Sequence, residues 1–343
     1  GEAHVGMSAM VDGSSGWVDA GILIPYRYWL HYREEKLLKK LYQPMKKLAN
    51  FLVGRMGKYD DLEIDQKLAP SEYRKYIVMT GFHFGEWNEP GSDPTSVMTP
   101  KYEEATAYLI YTLNCFSKIA KVLGENKDAD YYNEIAAKAR KAYQYYFVKK
   151  GVITEKRMCK YVRPLALNLL DESVKKKVER GLIELVREQK YYVGTVFLST
   201  PFVLKAISDA GYIEDAYRML ENEEYTSWLY EVKMGATTIW EHWDGSASRN
   251  HYSNGAVCSW IFDTVCGISI IGENQFKIAP KPGGTLTEAS LTYQSIYGEV
   301  KCSWKKTQNK YVYEIHVPSG CTAEFSIIGM EKQTLNAGEY TFA

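Results

Sequence analysis

Three loop segments of the chain gather Trp, carboxylate, Gly and His side chains. The densest runs Gly235-Ala236-Thr237-Thr238-Ile239-Trp240-Glu241-His242-Trp243-Asp244-Gly245, and Asn250-His251-Tyr252-Ser253-Asn254-Gly255-Ala256-Val257 then opens an apolar helix. Glu241 stands between two tryptophans, which are expected to shield it and tune its pKa. A carboxylate beside flat aromatic faces suits sugar chemistry. The C–H face of a sugar ring stacks on indole while the carboxylate activates water at the anomeric carbon. The plainer alternative is a buried glutamate capping the next helix from a packed aromatic corner. Against it, Trp-Glu-His-Trp-Asp brings together too many polar groups to bury cheaply.

A second segment is Phe82-His83-Phe84-Gly85-Glu86-Trp87-Asn88-Glu89-Pro90-Gly91-Ser92-Asp93-Pro94. Its Pro and Gly residues exclude regular structure, and a long loop that keeps Trp, two Glu and Asn usually has a task. Glu86 and Glu89 are candidate acids. His83 reads as a surface residue without a role. His83, Glu86 and Glu89 lack a second histidine at ligand spacing, so neither a metal nor another cofactor is expected. The third segment is Asp12-Gly13-Ser14-Ser15-Gly16-Trp17-Val18-Asp19-Ala20. Here Asp19 either meets the dipole of a starting helix or accepts hydrogen bonds from a ligand stacked on Trp17. The residues alone leave these two readings level.

The elements that must carry these loops are helices in pairs. Leu37, Leu41, Met45, Leu48 and Leu52 form one stripe at helical spacing. Ala105, Leu109, Leu113, Phe116, Ala120 and Leu123 form another, opened by Thr99-Pro100 and the acidic pair Glu103 and Glu104. Gly124 ends that helix, and Tyr132, Ile135, Ala139, Tyr143 and Tyr146 continue on the next. Asp171 is a good N-cap for Val174, Val178, Leu182 and Leu185. Thr200-Pro201 starts a further helix that stops at Gly211, and its partner spans Tyr212 to Leu220. Short joints between such stripes mean antiparallel helical hairpins, about nine or ten helices in all.

The texture changes after Gly267. Ile278-Ala279-Pro280-Lys281-Pro282-Gly283-Gly284 is a turn-rich linker. Beyond it Val300–Trp304, Tyr311–Val317 and Ala323–Ile327 read as short strands, with turns at Asn309, Pro318-Ser319-Gly320 and Ala337-Gly338. The expected organisation is mainly α: a helical toroid over 1–266 followed by a small antiparallel β-sandwich over 267–343.

Composition narrows the function classes. The 343 residues carry 42 basic and 42 acidic side chains, so the basic surplus that nucleic acid binding needs is absent. No run of about 18 apolar residues exists, so no membrane-spanning segment is expected. There are 28 Tyr and 8 Trp against 11 Phe, an excess in rings with a polar edge. Helix packing accounts for most of the tyrosines, and a wet binding cleft suits the rest. Six cysteines form neither a zinc spacing nor a disulfide scaffold, and free buried thiols are expected. The neutral balance fits cytoplasm, periplasm and secretion alike.

With these residues in view, a resemblance stands out. Ser227-Trp228-Leu229-Tyr230, the Gly235 to Gly245 block and Asn250-His251-Tyr252 resemble the glycoside hydrolase family 78 α-L-rhamnosidases. Gly16-Trp17-Val18-Asp19-Ala20 resembles that family's Gly-Trp-Gly-Asp-Ala segment, and Phe84-Gly85-Glu86-Trp87 its Gly-Asp-Trp loop, with Glu in place of Asp. The Ile278-Ala279-Pro280 linker and the β tail match its C-terminal sandwich. The likeness runs over essentially the whole chain. The Thr-Thr-Ile-Trp-Glu block is fairly specific, whereas the other blocks are individually weak.

The resemblance implies an (α/α)6-toroid hydrolase that releases terminal α-L-rhamnose with inversion, the partner being a carbohydrate. Glu241 would be the general base. Trp17, Trp87 and His251 would line the sugar pocket, and Asp19 and Glu86 would hold hydroxyls or order the loop. An inverting pair of carboxyls stands roughly 6.5–9.5 Å apart, leaving room for water. Two departures follow. The loop between Trp243 and His251 is shorter than in the family, so a more open aglycone side is expected. The family's general acid lies in an Asp…Arg…Glu segment before the Gly-Trp-Gly-Asp-Ala block, and here Glu2 is the one carboxylate ahead of Asp12. The expectation is therefore a C-terminal portion of a larger enzyme, about one hairpin short of a toroid and lacking its acid. Two other readings compete. One is a sugar-binding toroid without catalysis; the other is a toroid hydrolase of different specificity using Glu86 or Glu89 as acid.

Overall fold

The computed structural model describes residues 13–58, 68–87, 89–91, 99–308 and 310–343. Glu2, Asp12, Asn88, the Ser92-Asp93-Pro94 end of the second segment and the Asn309 turn lie outside the described residues. Among those described, eleven α-helices precede the first strand, the last two of four residues each. They are α1 Ala20–Tyr32, α2 Glu35–Gly54, α3 Tyr102–Val122, α4 Asn126–Phe147, α5 Met158–Ala166 and α6 Glu172–Glu188. Then come α7 Thr200–Asp209, α8 Ile213–Leu220, α9 Trp228–Lys233, α10 Tyr252–Gly255 and α11 Val257–Trp260, closed by a π-turn at Ile261–Val265. The chain divides into two compact units. One comprises Gly1–Trp29, Glu34–Leu185 and Gly194–Phe202; the other comprises Leu30–Arg33, Val186–Val193 and Val203–Ala343.

The core of the first unit is built on α2, α3 and α4. α3 is buried nearly all round, as a central helix must be, with Leu109, Leu113, Phe116 and Ala120 among its covered residues. Gly124 takes φ +78°, the left-handed turn that sends the chain back along α4. α4 faces the core with Ala129, Tyr132, Ala136, Ala139 and Tyr143, small residues that admit a neighbouring helix closely. On α2 the buried face is Leu38, Tyr42, Met45, Ala49 and Leu52, one residue round from the expected stripe. Leu41 and Leu48 flank that face and pack on it half-buried. The core tyrosines keep their hydroxyls satisfied: Tyr42 donates to Asp128 at 2.5 Å and Tyr132 to Asn50 at 2.6 Å.

In the second unit, Arg187 grips Asp215 of α8 with two hydrogen bonds of 2.8 Å, and Trp260 Nε1 donates to Ser208 Oγ of α7 at 2.8 Å. The strands are β1 Ile268–Gly272, β2 Gln275–Ile278, β3 Glu288–Ser295, β4 Gly298–Thr307, β5 Lys310–Val317, β6 Thr322–Phe325, β7 Gln333–Leu335 and β8 Gly338–Phe342. They form two four-stranded sheets, ordered β1-β2-β6-β7 and β3-β4-β5-β8. All pairs are antiparallel except β2 with β6, which run parallel. Phe276, Ile278, Ala323 and Phe325 of one sheet share a core with Val300, Cys302, Ile315 and Val317 of the other. That alternation of covered and exposed residues makes a sandwich. All six cysteines are free; five are buried, and Cys258 departs from the expectation by being exposed.

Candidate functional site

The residues singled out by sequence fall into two groups, each within one unit. Trp17, Asp19, Glu86 and Trp87 belong to the first unit, Glu241 and His251 to the second.

In the first group, Asp19 precedes α1 and is 1% exposed. Its Oδ2 accepts from the Gly16 amide at 2.6 Å and its Oδ1 from Thr112 Oγ1 at 2.5 Å. Burial pushes its carboxyl up, against the opposing hydrogen bonds from Thr112 and Gly16. Both oxygens thus serve the loop, and Asp19 orders the turn that carries Trp17. Gly16 there has φ +88°, and a Cβ on it would lie 2.4 Å from Leu198 Cδ2. Trp17 is half-buried, its ring 5.0 Å from Phe84 and nearly parallel to Phe197 at 6.0 Å. Phe84 in turn meets Trp87 edge-on at 5.5 Å and Phe82 at 5.0 Å. The two segments that sequence kept separate therefore join in one aromatic cluster with two half-buried indoles.

Glu86 is a buried hub. Oε1 accepts from Arg163 Nη2 at 2.7 Å and from the Ser199 hydroxyl, and Oε2 accepts from the Leu198 amide at 3.3 Å. Arg163, on α5, also binds Glu103 of α3 through Nη1. Glu103 accepts further bonds from Lys160 at 3.0 Å and Tyr143 at 2.5 Å. Burial alone would raise the neighbouring Glu104 carboxyl. Lys160 and Arg163 outweigh it and hold that group below the usual carboxylate range. Glu89 accepts from Arg157 Nε at 2.8 Å and from Nη2, with Cys159 Sγ at 3.6 Å from its other oxygen. A general acid must carry an O–H to the leaving group. Protein donors already occupy both oxygens of Glu86 and of Glu89.

His83 is not the surface residue the sequence suggested. It is 5% exposed, with Nδ1 accepting from the Ser15 amide at 3.0 Å and Nε2 at 3.0 Å from the Thr80 carbonyl. That pair of contacts requires a neutral ring protonated on Nε2. Burial, then the charge of Arg55, pushes its pKa down to about 4. His83 thereby ties the Trp17 loop to the Trp87 loop.

In the second group the two tryptophans do not flank Glu241 as expected. Trp240 and Trp243 are 8% and 3% exposed, while Glu241 is half-buried. Arg249 lies over the Trp240 ring at 5.4 Å, and Trp243 meets Trp228 edge-on at 5.8 Å. Protein groups thus cover both indoles. The Glu241 side chain accepts from the Ser248 amide at 3.3 Å, and its own amide donates to the Ser248 carbonyl at 2.8 Å. His251 caps α10, Nδ1 accepting from the Ser253 amide at 3.2 Å, and stacks on Tyr252 at 5.1 Å. The shielded carboxylate of this block is Glu231 of α9, 2% exposed, with Oε2 accepting from the Trp240 amide at 3.0 Å. Burial pushes its pKa up to about 7. Glu231 stands outside the three loop segments, and its one signal in the sequence is its place three residues after Trp228, on the helix face that an indole would bury.

A cavity of 360 Å³ in the first unit, lined among others by Tyr102, Glu103, Tyr143, Tyr146, Arg157 and Lys160, contains none of the six sequence-predicted residues. Among the described residues no group of three or more His, Cys, Asp or Glu could hold a metal ion, and no helix is long and apolar enough to cross a membrane.

Comparison with known proteins bears on this geometry. Residues 4–265 match the family model of the bacterial α-L-rhamnosidase six-hairpin glycosidase domain, and residues 272–342 that of the bacterial α-L-rhamnosidase C-terminal domain. An α-L-rhamnosidase of Streptomyces avermitilis is 29% identical over 327 residues, covering 91% of this chain and 29% of that protein. One of Formosa agariphila is 29% identical over 346 residues, covering 96% and 35%. The crystal structure of the Streptomyces avermitilis α-L-rhamnosidase complexed with L-rhamnose superposes with a TM-score of 0.83 at 26% identity, covering 96% of this chain and 33% of that one. The chain spans about a third of the length of the curated relatives it matches.

Proposed function

The chain belongs to the bacterial α-L-rhamnosidases, with their six-hairpin glycosidase fold and C-terminal sheet domain, and we propose that it hydrolyses rhamnosides, releasing terminal α-L-rhamnose with inversion and using Glu241 as general base. One observation carries the choice of base. Glu241 combines partial exposure with a backbone fixed on both sides, by Ser248 on its amide and by Asn254 Nδ2 on its carbonyl at 3.2 Å. A base must reach water and hold still. Glu231 is sealed from solvent, and Asp244 is turned onto the Ser246 amide at 2.9 Å.

In this reading the half-buried Trp17 and Trp87 offer ring faces to the sugar, and His251 contributes to its binding. Asp19 and Glu86 act by holding the loops that carry the indoles. Residues 267–343 form the C-terminal sandwich domain. A second reading, sugar binding without turnover, is supported by one fact: protein donors occupy the oxygens of Glu86 and Glu89, the two carboxylates weighed as acids.

The test is hydrolysis of p-nitrophenyl α-L-rhamnoside, with NMR of the first-released anomer and calorimetric titration with L-rhamnose. The expected result is β-L-rhamnose first, with turnover lowered roughly 10³-fold in Glu241→Gln while L-rhamnose still binds. Release of the α anomer first overturns inversion. Because p-nitrophenolate leaves with little help from an acid, binding without turnover of this substrate selects the second reading.

A further inference from the structure

The backbone of Trp240 and Glu241 is gripped from two helices, and one of the gripping groups is a carboxylate buried at a cost. Ser227 caps α9, its hydroxyl accepting from the Tyr230 amide at 3.3 Å. This sets Trp228 and Glu231 on one face of the helix, 5% and 2% exposed. Trp228 Nε1 donates to the Asn254 carbonyl at 3.0 Å, joining that face to α10. Glu231 Oε2 accepts from the Trp240 amide at 3.0 Å, and the Glu231 carbonyl accepts from the Ala236 amide at 2.9 Å. From the other side Asn254 Nδ2 donates to the carbonyls of both Trp240 and Glu241, at 3.1 and 3.2 Å.

This arrangement is expensive. Glu231 Oε1 is buried without a hydrogen-bond partner among the described residues, as is Asn254 Oδ1. A buried polar atom left unpaired is destabilising and calls for an explanation. The other oxygen of Glu231 bonds the amide of Trp240, the residue before the proposed base. In catalysis a misplacement of about 1 Å costs on the order of 10²-fold in rate, so a firm hold on this peptide has a direct use.

We propose that Glu231 is a positioning residue for Glu241, holding the Trp240 amide while Asn254 holds the Trp240 and Glu241 carbonyls, so that the base carboxylate stays in place. The proposal rests on Glu241 being the base, and Glu231 itself touches no substrate.

Glu231→Leu fills the space and removes the acceptor, whereas Glu231→Gln keeps a carbonyl for the Trp240 amide. The expected result is a kcat in Glu231→Leu lowered about 10- to 100-fold. KM and the L-rhamnose Kd should stay within about twofold, and Glu231→Gln should recover most of the rate. Hydrogen exchange at the Trp240 amide reads the hold independently of turnover. It should quicken at least about tenfold in Glu231→Leu and stay near wild type in Glu231→Gln. Wild-type kcat or unchanged Trp240 protection in Glu231→Leu overturns the proposal. If Glu231→Leu does not fold, the same measurements on Glu231→Ala decide: wild-type kcat, or equal loss of kcat and of L-rhamnose affinity, overturns it. Full activity in Glu241→Gln would instead remove the base assignment, and that outcome is distinct from either.

Discussion

Arg163 Nη2 lies 2.7 Å from Glu86 Oε1 with no more than 1% of either side chain exposed, and the same guanidinium holds Glu103 through Nη1. One cation thus neutralises two buried acids from two segments. Arg163→Met would leave both without it, and breaking a buried pair from one side costs about 3–5 kcal/mol. Urea denaturation should show a loss of that size. Arg163→Lys should recover less than half of it, because one ammonium cannot bridge two carboxylates as a planar fork does.

Gly16 offers a sharper test of the Trp17 loop. Its φ of +88° disfavours any side chain, and an added Cβ would meet Leu198 Cδ2 at 2.4 Å. Leu198 also donates its amide to Glu86. Gly16→Ala should therefore cost about 1–3 kcal/mol and weaken L-rhamnose binding through the displaced Trp17. Thermal melting and calorimetry on the one variant measure both effects.

His83 and Glu231 should tilt the pH dependence of stability in opposite directions. The folded pKa of His83 is down at about 4 from an ordinary 6.5, so the unfolded chain takes the proton first. Its contribution is present above about 6.5 and is lost as pH falls toward 4, at up to about 1.4 kcal/mol per pH unit. Glu231 is raised from 4.5 to about 7. Its protonated form is favoured on folding, so its contribution is present below 4.5 and is lost as pH rises through 7. Urea midpoints between pH 4 and 8 check this. Relative to wild type, Glu231→Gln should steepen the loss on acidification, and His83→Gln should shift the optimum toward acid.

The helices were legible because their patterns are local. The stripes Ala105 to Leu123 and Tyr132 to Tyr146 lie along α3 and α4, Leu123 one residue past the C-terminal end of α3 and Tyr146 one short of that of α4. On α2 the buried face lies one residue round from the leucine stripe, because Tyr42 and Ala49 complete it. The site was harder to read. The segment bends at Glu241 and turns at His242, whose carbonyl accepts from the Gly245 amide, so side chains adjacent in sequence need not pack together. The two tryptophans beside Glu241 turn into the protein and leave it half open, where adjacency in sequence suggested shielding. Arg163 carried no local signal, since its partners Glu103 and Glu86 lie 60 and 77 residues away. The pairing of His83 with Ser15 spans 68 residues and was equally invisible.

The parallel join of β2 to β6 has a consequence for how the sandwich assembles. Antiparallel neighbours can zip up from a tight turn, but parallel ones must wait while the chain travels away and returns. Between β2 and β6 the chain lays down β3, β4 and β5 in the opposite sheet. Joining β6 to β2 therefore needs closure of a long loop, and that step should limit the folding rate of the sandwich. Until then β2 carries a bare edge of Gln275, Phe276, Lys277 and Ile278, an invitation to a second copy of the chain. Residues 318–343 thus act as a guard against aggregation as well as a structural finish, and a nascent or clipped chain ending at Val317 would lack that guard.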